Sequence, residues 1–122
     1  MPEPRSSHSD LSKRARGQWG EDRAAAHYRR LGYDVIDRNW RSPTGELDLI
    51  VFDGSTYVFS EVKARRTADF GPASAAVTIA KQRRIRQLAV EWLRAHDVHA
   101  SSIRFDVVAI TGNELELITD AF

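Results

Sequence analysis

Apolar and charged positions alternate with changing period along this chain, and the changes mark its elements. Within residues 12–31, Ala24, Ala25, Ala26, Tyr28 and Leu31 recur among charges and lead to Gly32, a common helix stop, which predicts a first helix. Val35, Ile36 and Trp40 in residues 34–40 then read as a strand, closed by the turn-forming run Ser42-Pro43-Thr44-Gly45. Residues 47–52 and 56–62 are rich in β-branched, aliphatic and aromatic side chains, and the intervening Asp53-Gly54 predicts a hairpin. Residues 64–72 hold charges, Gly71 and Pro72 without a period, which predicts a loop beside that hairpin. From residue 74 or 78 to residue 95, Ile85, Leu88, Ala89, Trp92 and Leu93 fall at helical spacing and predict a second long helix. Residues 103–110 and 114–118 flank Gly112-Asn113 as a terminal strand pair, completing the order αβββαββ. No repeat or internal linker interrupts this order, so one sheet with both helices packed on it is expected.

A chain of 122 residues, 42% hydrophobic and 29% charged, suits one globular domain with its own core. That domain is expected over residues 12–122, behind a polar, flexible tail of residues 1–11 that has no apolar stretch of the secretory kind. Apolar runs are too short for a membrane span. Cysteine is absent, which removes disulfides and thiolate metal sites and fits a cytoplasmic protein whose metal ligands would be oxygen or histidine. The net charge of +1 conceals a gradient: Lys63, Arg65, Arg66, Lys81, Arg83, Arg84, Arg86 and Arg94 gather in one stretch opposed by Asp69 and Glu91, whereas the chain beyond Ala95 is acidic. Such a basic stretch is either a contact surface for phosphates or a solvated helix face.

The hairpin carries the candidate chemistry. If Asp53-Gly54 is a two-residue turn, Phe52 pairs with Ser55, Asp48 stands opposite Phe59, and Glu46 opposite Glu61. Strand alternation then sends Glu46, Asp48, Phe59, Glu61 and Lys63 to one side, with Asp48 diagonal to Glu61. A bulge or longer turn would alter that register. Lys63 paired with an acid on an open sheet face is the ordinary alternative, but the flanking Leu47, Leu49, Ile50, Val51, Val58 and Val62 argue for a covered one. Acids crowded in such a place repel, and a divalent cation with oxygen preference, Mg2+ or Mn2+, relieves the repulsion. In the first helix Gly17, Glu21, Ala24, Tyr28 and Leu31 form one stripe, so Glu21 either faces inward toward a metal or Lys63, or sits at the margin and pairs with Arg14 or Arg16.

His8, His27, His96 and His99 have no zinc-like spacing, and neither Ser55 nor Ser60 has a positioned histidine partner. Trp19 and Trp92 are expected in the core, and Trp40 is the tryptophan to test for base stacking.

Several ordered motifs resemble the PD-(D/E)xK nuclease superfamily, and more closely its bacterial YraN-like family, which is similar to archaeal Holliday-junction resolvases. Gly17-Gln-Trp-Gly-Glu21 resembles the first-helix motif, Arg38-Asn-Trp-Arg41 the next strand, and Gly45-Glu-Leu-Asp-Leu-Ile50 the strand bearing the catalytic aspartate. Glu61-Val-Lys63 resembles the Glu-x-Lys element, and Arg104-Phe-Asp-Val-Val108 a later strand. Leu47 stands where the namesake proline would precede the aspartate. The resemblance implies a restriction-endonuclease-like α/β fold, with a mixed sheet flanked by helices. It implies metal ligation by Asp48, Glu61, Glu21 and the Val62 carbonyl, with Lys63 activating water and stabilising the phosphate. Arg65, Arg66, Lys81, Gln82, Arg83 and Arg84 would line the nucleic-acid groove, and Glu46 would hold a second metal or a water.

The expectation is therefore an Mg2+- or Mn2+-dependent endonuclease acting on DNA, with branched or flapped DNA among its substrates and a homodimer as its form on symmetric junctions. A nuclease fold that binds nucleic acid without turnover, alongside repair or recombination partners, is the alternative; a purely structural domain is the third.

Overall fold

The computed structural model describes residues 8–67 and 77–122. Helix α1 spans His8–Arg30, β1 Asp34–Ser42, β2 Gly45–Phe52, β3 Tyr57–Arg65, α2 Ile79–Ala95, β4 Ile103–Thr111 and β5 Glu114–Ile118. The order is the expected αβββαββ. Helix α1 already begins at His8, before the expected start at residue 12, and β3 runs on through Arg65, where a loop was expected from residue 64. The rest of that expected loop, from residue 68, lies outside the described residues.

The five strands form one mixed sheet in the order β1-β2-β3-β4-β5, antiparallel except for β3 and β4, which run parallel. A parallel neighbour needs a crossover, and α2 lies within that connection. Ala24, Ala25 and Tyr28 of α1 pack with Leu49, Val51, Val58, Val108 and Ile110 on one face. Ile85, Leu88, Ala89 and Trp92 of α2 pack with Leu47, Ile50, Phe59, Phe105 and Val107 on the other. The architecture is consistent with a restriction-endonuclease-like fold.

Helix α2 forms as its stripe predicts: Ile85, Leu88, Ala89 and Trp92 are buried, and Thr78 caps the helix by accepting the Lys81 N–H. Each large side chain so buried contributes roughly 1.5–3 kcal/mol to folding. The α1 stripe is rotated from expectation: Leu31 is exposed, and Gly20, Ala24, Ala25 and Tyr28 are the buried positions. Gly20 sets the approach of α1 to the sheet, because a Cβ there would lie 2.7 Å from the Ala64 Cβ.

The β2–β3 connection is a four-residue loop, 53–56, rather than a two-residue turn. Asp53 Oδ1 accepts the N–H groups of Ser55 and Thr56, a side-chain-closed turn that draws two more residues out of the ladder. Phe52 therefore pairs with Tyr57 and Leu49 with Ser60. The same register carried one position further brings Asp48 level with Glu61, not with Phe59.

Candidate functional site

Strand β2 breaks its own alternation at the carboxylates. Ile50 packs on the α2 face and Leu49 and Val51 on the α1 face, yet Leu47 returns to the α2 face, so the pattern slips once between Leu47 and Leu49. Beside the slip, β1 pairing passes from Arg38↔Leu49 to Trp40↔Leu47, and the intervening Asn39 has a left-handed φ of 53°. Asp48 sits at this irregular point, and its Oδ2 accepts the Val62 N–H of β3 at 2.9 Å. The expectation that Glu46, Asp48, Phe59, Glu61 and Lys63 all project from one side is corrected by this slip, which carries Glu46 to the α1 side.

The slip lets acids from both faces converge. Carboxylate oxygens of Glu21 from α1 and of Glu46 and Asp48 from β2 lie within 4.8 Å of one another. Burial pushes the Asp48 carboxyl up to about 8, helped by the charge of Glu61 and a hydrogen bond with it, and by Glu21; the Val62 N–H pulls the other way. Without a cation, Asp48 thus keeps its proton well above the usual carboxylate range. Glu21 is also raised, first by burial and then by Glu46 and Asp22, while hydrogen bonding to Asn39 and the charge of Arg38 oppose the rise. Its favourable partners are therefore Asn39 and Arg38. Arg16 is occupied elsewhere, donating to the carbonyls of Arg65 and Gly112.

Glu61 is buried on the α2 side of β3 and takes the Lys81 Nζ at 2.6 Å. The cation paired with Glu61 is thus Lys81, from the first turn of α2, and not Lys63. Lys63 is exposed and lies on the β3 face that Phe59 and Glu61 occupy, with no ion pair among the described residues. Val62 meets Asp48 through its N–H.

The expected groove residues divide. Lys81 is committed to Glu61, and Gln82 Nε2 donates to the Val77 carbonyl at the start of α2. Arg83 and Arg84 are exposed, and the Arg84 stem borders Gly45, where a Cβ would lie 3.3 Å from its Cδ. Arg66 is exposed, and Arg65 Nε donates to Thr111 Oγ1. Trp92 is a core residue whose Nε1 donates to Asp37 and whose ring stacks on His96, and Trp40 is part-buried, edge-on to the same His96 ring and packed against the same core. Trp19 is part-buried, with Arg16 and Arg23 over its ring.

Two features escaped the sequence reading. Asn39 was visible only as part of a strand motif, although asparagine is among the few side chains that tolerate a left-handed backbone. The second is a polar network on the α1 face: fully buried Asp106 binds Arg104 Nε and Nη2 at 2.8 Å each, accepts the Tyr28 hydroxyl at 2.8 Å, and accepts the Asp120 N–H at 3.0 Å. No described helix is long and apolar enough to cross a membrane.

Known proteins share this pattern over most of its length. The profile described as "Uncharacterised protein family UPF0102" matches residues 20–110, which include all four clustered acids. A UPF0102 protein of Rhodococcus opacus (strain B4) is 52% identical over 113 residues, covering 88% of this chain and 96% of the relative. The UPF0102 protein GSU0650 of Geobacter sulfurreducens is 48% identical over 111 residues, covering 87% of each chain. A further one from Shewanella amazonensis is 47% identical over 106 residues, covering 87% of this chain and 97% of the relative. With a matching profile over most of its length and relatives at about half identity, the chain belongs to family UPF0102.

Proposed function

We propose that this protein is a divalent-cation-dependent nuclease that hydrolyses phosphodiester bonds in DNA, in the manner of the resolvase-like PD-(D/E)xK enzymes. The observation that carries the reading is the environment of Asp48: a half-buried carboxyl with Glu21, Glu46 and Glu61 around it and one backbone N–H as donor. Only a proton or a cation offsets such crowding.

The donors fit a hard cation. All are carboxylate oxygens, the set that Mg2+ and Mn2+ prefer, and Glu21, Glu46 and Asp48 lie close enough to share one ion. Bound there, the ion would act as a Lewis acid on a phosphoryl oxygen. The chain's own residues do the remainder. Glu61, held by Lys81, keeps its carboxylate beside Asp48. Lys63, an exposed ammonium on the Glu61 face, would bind the scissile phosphate and stabilise its developing charge.

The test is incubation of the purified protein with branched, duplex and single-stranded DNA in Mg2+, Mn2+ or EDTA. Cleavage is expected with either cation and is lost in EDTA and in Asp48→Asn. An equal lack of cleavage by wild type and Asp48→Asn in both cations defeats the enzyme reading.

The Glu61–Lys81 pair favours one second reading. An acid already neutralised by a built-in cation is a poorer metal ligand, which suits a nuclease fold that binds DNA without cutting it. In that case binding persists unchanged in EDTA and no variant or cation alters the strand.

A further inference from the structure

Away from the carboxylates, an open groove of about 590 Å³ runs between the first half of α1, the end of β3 and the β4–β5 turn, lined by Ala15, Arg16, Trp19, Arg66, Gly112 and Asn113. Of its lining cations Arg16 is held in place by the backbone rather than by an acid, and so is Arg23, which flanks the groove. Arg16 donates to the carbonyls of Arg65 and Gly112, and Arg23 to that of Asn113. Both guanidinium groups lie over the Trp19 ring, at 4.3 Å and 5.1 Å from its centroid. Among the described residues none of Arg16, Arg23, Arg65 and Arg66 has a carboxylate partner, so their charge is available to a ligand. Glu114, exposed next to Asn113, is the acid nearest in sequence at the β4–β5 turn.

We infer that this groove carries the sugar–phosphate backbone of a nucleic-acid strand on one side of the acidic cluster. The inference rests on the nucleic-acid reading above and names a contact surface for it. Three points carry it. The first is charge: unpaired guanidinium groups in a concave surface complement a polyanion. The second is the use made of Trp19. Its ring already holds two guanidinium groups, so it serves to fix cations for phosphates rather than to stack a base, and the contact is indifferent to sequence.

The third is position. Strand β3 joins the two places directly: Glu61 belongs to the cluster, and Arg66 follows the strand's end at Arg65. At about 3.3 Å per residue, five residues span roughly 16 Å. That distance equals about five nucleotides of a helical strand at about 3.4 Å each. A strand cut at the cluster and extending on the groove side therefore reaches Arg66 only when it has about that length.

The experiment uses the full chain and a fluorescein-labelled 20-nucleotide single strand, with anisotropy read in EDTA across a salt series. Arg66 is exposed and makes no described structural contact through its side chain, so Arg66→Glu should fold normally, as its melting temperature will show. Affinity is expected to fall at least tenfold and the slope of log affinity against log salt to become shallower by about one. Arg94→Glu, at the exposed far end of α2, controls for net charge and should change affinity much less. Equal affinities for wild type and Arg66→Glu, equal losses in Arg66→Glu and Arg94→Glu, or no binding by wild type would each overturn the inference. Arg66-dependent binding without any cleavage supports this groove while defeating the nuclease reading. Cleavage that Arg66→Glu leaves untouched, with unchanged binding, defeats the groove alone.

Discussion

Asp48 and Asp106 are both aspartates withdrawn from water in neighbouring parts of one sheet, and their surroundings are opposites. Asp106 is fully buried, with a two-point bond from Arg104, a hydroxyl from Tyr28 and a backbone N–H from Asp120. Every strong donor around it belongs to the chain. Asp48 is less deeply buried, yet it has one N–H donor and three acids for neighbours. A carboxylate whose charge is balanced by its own fold is structural. One whose charge is left over for a proton or an outside cation is a candidate for chemistry. Residue type and burial do not separate the two; the sign of the neighbours does.

The strongest way to break the comparison is at Asp106. Asp106→Ala leaves Arg104 without its partner and should cost about 3–5 kcal/mol of folding free energy, measured by urea denaturation. A loss below about 1 kcal/mol would mean that the network is not structural. Tyr28→Phe removes one bond to the same carboxylate and should cost roughly 1–3 kcal/mol in that assay.

The smallest effect near pH 6, and one of opposite sign at higher pH, is expected at Asp48. Its carboxyl is raised from an ordinary 3.8 to about 8, so the folded protein holds a proton that the unfolded chain has lost. That contribution is complete below about pH 4 and disappears as pH climbs to about 8. In EDTA, wild type should therefore melt several degrees lower at pH 9 than at pH 6, and Asp48→Asn should show a smaller difference. Added Mg2+ or Mn2+ competes with the proton, so it should stabilise wild type more at pH 9 than at pH 6 and leave Asp48→Asn unmoved. Parallel pH curves for the two proteins would remove Asp48 from the class described above.

How much of this was legible in the sequence depends on the range of the forces concerned. Helix α2 could be read because Ile85, Leu88, Ala89 and Trp92 bury one face of a regular helix, a local pattern. The element order followed from similar local patterns, and the mixed sheet from the family resemblance. The hairpin register could not, because Asp53 closes its turn with its own side chain, and an Asp-Gly pair reads equally well as a tighter turn. The error was of two residues, which preserves the face of each side chain, so Asp48 and Glu61 still fell together. The slip that sends Glu46 to the α1 side had no local signature beyond Asn39. The Glu61 partner was equally hidden. Lys63 is two residues away in sequence and Lys81 twenty, but the crossover through α2 brings the distant one to 2.6 Å. The Leu31 position failed because α1 ends at Arg30, so Leu31 falls in the turn before Gly32 and off the packed stripe of Ala24 and Tyr28.

The parallel pairing of β3 and β4 has a consequence for a chain emerging from the ribosome. Helix α1 and hairpin β2–β3 are complete by residue 65 and carry all four acids, with Arg41 already there to pair with Glu46, before Lys81, the partner of Glu61, has been made. Until then Glu61 lacks its ion-pair partner, and a proton or a divalent cation is left to offset its charge beside Asp48. The cohesion of the nascent fragment before α2 arrives should therefore follow ambient acidity and free magnesium more steeply than that of the finished domain.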